Sequence, residues 1–397
     1  MRAIASLNAG SSSIKFALFT LETSTNPVLA IAGKIEKIGI EPEMAVRSAN
    51  GAIIEERHWP GGGALTHAAL LKDLIAWLMA HLAGLELVAV GHRIVHGGIR
   101  YSRPQRIDTA LLEDLRALCP LAPLHQPHNL AAVAAILQII PDVPQVACFD
   151  TAFHYDKPAV ASRLPLPRSF HDRGIRRYGF HGLSYDYVAR RLAEVDPDVA
   201  AGRVIAGHLG NGASLCAMRA GRSIDTTMGF TALDGLMMGT RCGSLDPGVV
   251  LHLQTELALN AAEVEQLLYR ESGLLGVSAL SSDMRVLSAA NTIEAEEAID
   301  LFAWRAAREF GAMAASAGGV DGIVFTAGIG ENHADVRRRI CQRLEWLGLK
   351  IDAAANARND MRISTSESAV AIYVIPTDEE RMIALHTAAL LCASDDF

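Results

Sequence analysis

Two stretches far apart in this chain read almost alike: RAIASLNAGSSSIKFAL from Arg2 and RVIAGHLGNGASLCAMR from Arg203. Superposed without a gap, they set Ser13 opposite Ser214 and Ile14 opposite Leu215. Each reads as a strand, a glycine turn and a second strand, because apolar and β-branched residues flank a short run of Gly, Ser and Asn. Each also begins a strand-rich region that later turns helical, which predicts two related α/β halves. The length of 397 residues agrees, since single cores seldom grow so large.

The turns themselves carry chemistry. In the second copy, glycines at 210 and 212 let backbone N–H groups approach an anion that a Cβ would hold off, and Asn211 tolerates a positive φ. The first copy offers Asn8, the neutral donors Ser11, Ser12 and Ser13, and one cation, Lys15. Neither G-x-x-x-x-G-K-[ST] nor G-x-G-x-x-G is present. Phosphate would therefore be held by the β-turns, and by a helix N-terminus expected after Gly328-Ile329-Gly330-Glu331-Asn332.

Periodicity fills in the rest. Apolar spacing predicts helices over 65–82, 128–140, 182–195, 249–257, 261–270, 292–316 and 379–394, with strands at 87–93, 145–150, 322–328 and 369–375. Residues 228–248 form a long Gly/Met loop and 151–180 an irregular crossover.

A net charge of -8 argues against a nucleic-acid surface but leaves room for local arginines around an anion. Arg93 in GHRIVHGG and Arg241 in MGTRCG stand in glycine-rich surroundings where a guanidinium fork can match carboxylate or phosphate oxygens. His181, in RRYGFHGLS, is a candidate for stabilising transition-state charge. Asp150, at a strand end, and Glu379, at a helix start, are candidates for orienting the arginines and holding hydrated Mg²⁺. His92 and His96 lack the Glu of H-E-x-x-H, and the six cysteines show no C-x-x-C spacing, which argues against zinc and disulfides. With a strand pattern from Met1-Arg2 and no membrane-length apolar run, the expectation is a cytoplasmic protein with neither a membrane nor a nucleic-acid partner.

In order along the chain, NAGSSSIKF, GHRIVHGG, LAPLHQPHN, CFDTAFH, RRYGFHGLS, HLGNGAS, GFTALDGLMMGTRCG, SSDMR, FTAGIGEN and PTDEE resemble the motifs of the acetate kinase family. These are the acetokinases of the sugar kinase, Hsp70 and actin superfamily. The resemblance implies two duplicated ribonuclease H-like (actin-like ATPase) domains with a cleft between them. Residues 1–150 plus 382–397 would form the N-terminal domain, and 151–381 a C-terminal domain with most of the nucleotide site. The implied activity is Mg²⁺-dependent, reversible, direct in-line phosphoryl transfer from ATP to acetate, giving acetyl phosphate and ADP in a homodimer. Mn²⁺ is able to substitute. A propionate (short-chain fatty acid) kinase is the alternative within the family, and a non-catalytic nucleotide-gated binding module the alternative outside it.

By motif position, the resemblance assigns Asn8 and Glu379 to the metal, with Asp150 as a nearby acid. It gives Arg93 and Arg241 to the carboxylate and the migrating phosphoryl group, and His181 to the transition state. ATP would be held by Ser11, Ser12, Ser13 and Lys15, by His208, Leu209, Gly210, Asn211 and Gly212, by Asp283, Met284 and Arg285, and by Gly328, Ile329, Gly330, Glu331 and Asn332. Val95, Leu124 and Phe180 would line a methyl pocket, with His125 beside the substrate and Ala232 where the family usually has proline. Ser244 stands where a family aspartate is common. Ala232 loosens the reading of substrate size, whereas Val95 favours acetate.

Overall fold

The computed structural model describes residues 1–10, 13–23, 26–82 and 84–393. The chain divides into two compact units, one of residues 1–152 with the C-terminal stretch from Asp378, the other of residues 153–377. The first unit is built on an eight-stranded sheet. Its strands are β1 (Arg2–Ala9), β2 (Ile14–Thr23), β3 (Asn26–Glu36), β4 (Glu43–Ser48), β5 (Ile53–His58), β6 (Glu86–Ile94), β7 (Gln105–Arg106) and β8 (Gln145–Phe149). They lie in the order β5-β4-β3-β2-β1-β6-β8-β7. β1 to β5 form an antiparallel meander, while β6 joins β1, and β8 joins β6, in parallel.

Both faces of that sheet are covered. Helix His67–Ala80 is capped by Thr66, whose hydroxyl accepts from the Ala69 N–H, and its Leu70, Leu74 and Leu78 fall on one face at helical spacing. That face packs with helix Gln126–Ile139 on Leu7, Phe16 and Val90. Helix Glu379–Ala393 covers the opposite face through Ala384, Ala388 and Leu391, against Ile4 and Phe19.

The second unit carries β9 (Arg203–Leu209), β10 (Ala213–Arg219), β11 (Arg222–Thr226), β12 (Gly322–Thr326) and β13 (Ala371–Val374), in the order β11-β10-β9-β12-β13. β9 to β11 are antiparallel, and β12 and β13 add in parallel. This repeats the succession β3-β2-β1-β6-β8. Helix Gly182–Val195 buries Tyr185, Val188 and Leu192 against β9 and β10. Helix Ile293–Ala317 sets Phe310 edge-on to Phe325 of β12.

Two local expectations are corrected. The hairpins differ in turn length: Ala9 pairs with Ile14, but Leu209 pairs with Ala213. Ser13 therefore sits in a turn while Ser214 lies on β10 opposite His208, so the ungapped superposition does not equate their positions. The strand expected over 322–328 stops at Thr326, and Ala327–Asn332 is itself a short helix. No regular element interrupts the stretch between β11 and helix Pro247–Thr255, as the Gly/Met composition predicts. Among the described residues no helix is long and apolar enough to cross a membrane.

Candidate active site

In the first unit the C-terminal ends of three parallel strands bring chemistry together, the place where open α/β sheets carry ligands. β1 supplies Asn8, β6 supplies Arg93, and Asp150 follows β8. Arg93 Nε donates to both carboxylate oxygens of Asp150, at 3.1 and 3.0 Å, and Nη2 donates to Oδ2 at 2.6 Å. Nη1 donates to Asn8 Oδ1 at 3.1 Å, and Asn8 Nδ2 donates to Glu379 Oε2 at 2.9 Å. Glu379 Oε2 lies 4.0 Å from Arg93 Nη1. Burial opposes the guanidinium charge, but Asp150 and Glu379 more than offset it and hold the Arg93 pKa above its ordinary value.

The neighbouring carboxyls are less well matched. Burial raises Glu380 above the usual carboxylate range, against the pull of Lys15, and Asp378 is raised by burial in the same way. Lys15 itself pairs with Asn8 across the first hairpin.

The loop after β6 is pinned by side chains. Asn129 Oδ1 accepts from the Val95 N–H at 3.0 Å, Gln126 Oε1 from His96 at 3.1 Å and Thr151 Oγ1 from Gly97 at 3.0 Å. Asn129 Nδ2 donates to Ala9 O at 2.7 Å, tying this loop to the end of β1. Val95 is buried, and Leu124 and His125 are half-buried just ahead of helix Gln126–Ile139.

In the second unit the turn from His208 to Gly212 meets the Gly/Met loop. A Cβ on Gly212 would stand 2.6 Å from Arg241 Nη2 and 3.4 Å from His181 Nε2, so the missing side chain is what lets both approach. A Cβ on Gly239 would collide with Asn211 Oδ1, and Gly239 N–H donates to Asn211 O at 3.0 Å. Arg241 is buried, with Nη1 donating to Ala232 O at 2.6 Å. Ala232 thus serves through its carbonyl, which a proline would also present.

His181 caps helix Gly182–Val195 at φ 58°, a strained conformation for a residue with a side chain. Its Nδ1 is 2.8 Å from Ser214 Oγ, and its ring stacks on His208 with centroids 4.0 Å apart. His208 Nδ1 is 2.9 Å from Ser184 Oγ, and buried Phe180 accepts through its carbonyl from His154 Nε2 at 2.9 Å.

Other expected residues are placed less simply. Ser11 and Ser12 lie outside the described residues, and Ser13 is half-buried in the first turn. Asp283 caps helix Met284–Ala290 and chelates the Arg285 side chain, which holds its carboxyl low, while Met284 is buried. Gly328 to Asn332 themselves lie in a short helix, which leads through His333 into helix Ala334–Arg343 as expected, and the Glu331 carboxylate already accepts from the N–H groups of Ala327 (2.7 Å) and Thr377 (3.1 Å). Val95, Leu124 and His125 belong to the first unit, Phe180 and Ala232 to the second.

Sequence reasoning missed Ser214 and Tyr185, which flank His181, and Gln126 and Asn129, which pin the Arg93 loop. Each lies in an ordinary helix or strand pattern and bonds to a residue distant in sequence. Ser214, Gln126 and Asn129 do fall inside the motifs HLGNGAS and LAPLHQPHN, but what would single them out there, as for Tyr185, is a polar residue on an otherwise buried face.

Two units that repeat one strand order, three antiparallel and two parallel, are ribonuclease H-like domains, the build of actin-like ATPases. The Acetokinase family profile matches residues 3–385. An acetate kinase from Methylocella silvestris is 52% identical over 396 residues, covering 98% of each chain. One from Rhodopseudomonas palustris is 51% identical over 384 residues, covering 96% of each. Among solved structures, an acetate kinase of Porphyromonas gingivalis superposes at a TM-score of 0.84 with 37% identity, over 98% of this chain and 100% of that one. A propionate kinase of Francisella tularensis superposes at 0.87 with 36% identity, over 97% and 99%. The chain belongs to the acetokinase family.

Proposed function

We propose that the chain is an acetate kinase, transferring the γ-phosphoryl group of ATP reversibly to acetate to give acetyl phosphate and ADP. The observation that carries this reading is the buried pair Arg241 and His181, both brought against side-chain-free Gly212. A module that only sensed nucleotide would have no use for a guanidinium and an imidazole beside its phosphate turn. Phosphoryl transfer needs them, because charge spreads over the equatorial oxygens in the transition state.

Arg93 takes the acetate carboxylate in this reading. Asp150 occupies its Nε/Nη2 edge and Asn8 one hydrogen on Nη1, so Nη1 and Nη2 each keep a further N–H for a ligand carboxylate. Arg241 Nη2 and His181 Nε2 hold the migrating group, and the 208–212 turn holds the nucleotide phosphates. Transfer is direct and in line. The residues that this reading gives to the acetate methyl group and its surroundings are Val95, Leu124 and His125 of the first unit and Phe180 and Ala232 of the second.

Mg²⁺ fits the residues present. Asn8 and Glu379 are hard oxygen donors, and the carboxyls of Asp378 and Glu380 are pushed up by burial, a setting that a cation relieves. Among the described residues no group of three His, Cys, Asp or Glu side chains could hold a metal alone. That suits an ion which keeps waters and phosphate oxygens as most of its ligands. When bound, it would neutralise charge on the nucleotide phosphates. The reading includes a cytoplasmic homodimer, its stoichiometry checked by sedimentation.

Trapping the acyl phosphate as a hydroxamate tests the reading. Product is expected with Mg-ATP and acetate, and none with acetate, propionate or butyrate would sink it. A propionate kinase is favoured as second reading by Ala232 in place of proline; kcat/KM across the three acids decides it, acetate being expected to lead.

A further inference from the structure

Behind His181 lies a buried polar chain that the transfer reaction does not itself require. Ser214 Oγ, fully buried on β10, is 2.8 Å from His181 Nδ1 and 2.6 Å from the Tyr185 hydroxyl. Tyr185 is fully buried on helix Gly182–Val195, and the backbone N–H of His208 bonds to its phenol oxygen. Burial raises the phenol well above its ordinary pKa, so it keeps its proton.

Three protons must be placed among these groups. Suppose His181 carried its proton on Nδ1 and donated to Ser214. Ser214 would then turn its hydroxyl proton on Tyr185, and the Tyr185 O–H would be buried with no acceptor, which buried polar groups avoid. If Tyr185 and Nδ1 both donated to Ser214, the serine proton would be stranded instead. One arrangement satisfies all three: Tyr185 O–H donates to Ser214 Oγ, Ser214 O–H donates to His181 Nδ1, and the imidazole proton sits on Nε2. That is the atom beside Arg241 Nη2 at Gly212.

We infer that Ser214 and Tyr185 are positioning residues that hold His181 in its Nε2–H tautomer, so that the ring presents a donor to the migrating phosphoryl group. The inference rests on the proposed role of His181. The chain reaches His181 through two secondary-structure elements, helix and strand, so the tautomer is set by the fold of the second unit rather than by ligand.

Long-range ¹H–¹⁵N spectra of the imidazole-labelled full-length protein test it, with His181→Asn identifying the resonance. The wild type is expected to show a protonated Nε2 and an acceptor Nδ1 at His181. Ser214→Ala should shift the ring toward a mixture with Nδ1–H and lower kcat about tenfold to a hundredfold, with the KM for ATP unchanged. Tyr185→Phe, which keeps the ring in the core, should move the tautomer the same way but less. Added to Ser214→Ala it should have little further effect on kcat. Finding Nδ1–H in the wild type, or an unmoved tautomer in both folded variants, overturns the inference even if the kinase is active. Absence of acyl phosphate with the tautomer shifts intact would instead overturn the role of His181.

Discussion

Gly212 shows how much a single missing side chain decides. Arg241 Nη2 occupies the space its Cβ would need, with His181 Nε2 close behind. Gly212→Ala is therefore expected to push the guanidinium away and lower kcat about a hundredfold, the scale of losing one transition-state donor. Nucleotide affinity, measured by calorimetry, should change far less; a loss of binding with kcat retained would contradict the assignment. Arg93→Lys belongs to the same scale. An ammonium cannot span Asp150, Asn8 and a ligand carboxylate at once, so the KM for acetate is expected to rise at least tenfold in hydroxamate assays, about 1.4 kcal/mol of binding. Both arginines were legible in the sequence because glycines and histidines around them mark loops that leave room for a ligand. Ser214 and Tyr185 were not, since a serine in ASLCAM and a tyrosine in GLSYDYVA read as strand and helix fillers.

Helix Glu379–Ala393 connects packing to the Arg93 group. Its first turn bears Glu379 and Glu380, while Ile383 and Thr387 press on β6 where Gly91 has no side chain. A Cβ at Gly91 would collide with Thr387 Oγ1 and crowd Ile383. Gly91→Ala should thus lift the helix, destabilise the fold by about 1–3 kcal/mol in urea titrations, and raise the Mg²⁺ concentration needed for activity. An unchanged midpoint would mean that the helix does not bear on β6 there. At this scale periodic elements were readable, helix Gly182–Val195 to the residue. Elements with weak intrinsic preference were not. Helix Ala327–Asn332 contains two glycines and is held by the Glu331 carboxylate folding back on the Ala327 N–H. The difference in turn length between the hairpins was hidden as well, because glycine content marks a turn without giving its register.

At the scale of the molecule, each unit repeats the same strand order yet buries different polar groups, and those groups set how stability responds to pH. Burial pushes His92 and His96 of the first unit down to about 4 and His154 of the second down to about 3. In the unfolded chain each would titrate near 6.5. Between about pH 6.5 and 4 the unfolded state therefore binds protons that the native state refuses. Stability is complete above that window and falls through it as pH drops, by about 1.4 kcal/mol per unit for each histidine. The raised carboxyls of Asp378 and Glu380 act in the opposite sense, so the decisive comparison is with a variant that leaves them untouched. His92 is the residue to change, because its ring is fully buried and burial outweighs the one side-chain interaction that favours its charge, with the neighbouring Gln145 amide, neither group reaching good hydrogen-bond geometry. Strand alternation sets it between Val90 and Ile94 on an apolar face of β6. His92→Leu removes the titration and a buried, weakly bonded polar ring together. Its urea midpoint should equal or exceed the wild type's at pH 7 and fall less by pH 5. Parallel slopes for the two proteins would show that His92 gains its proton in the folded state.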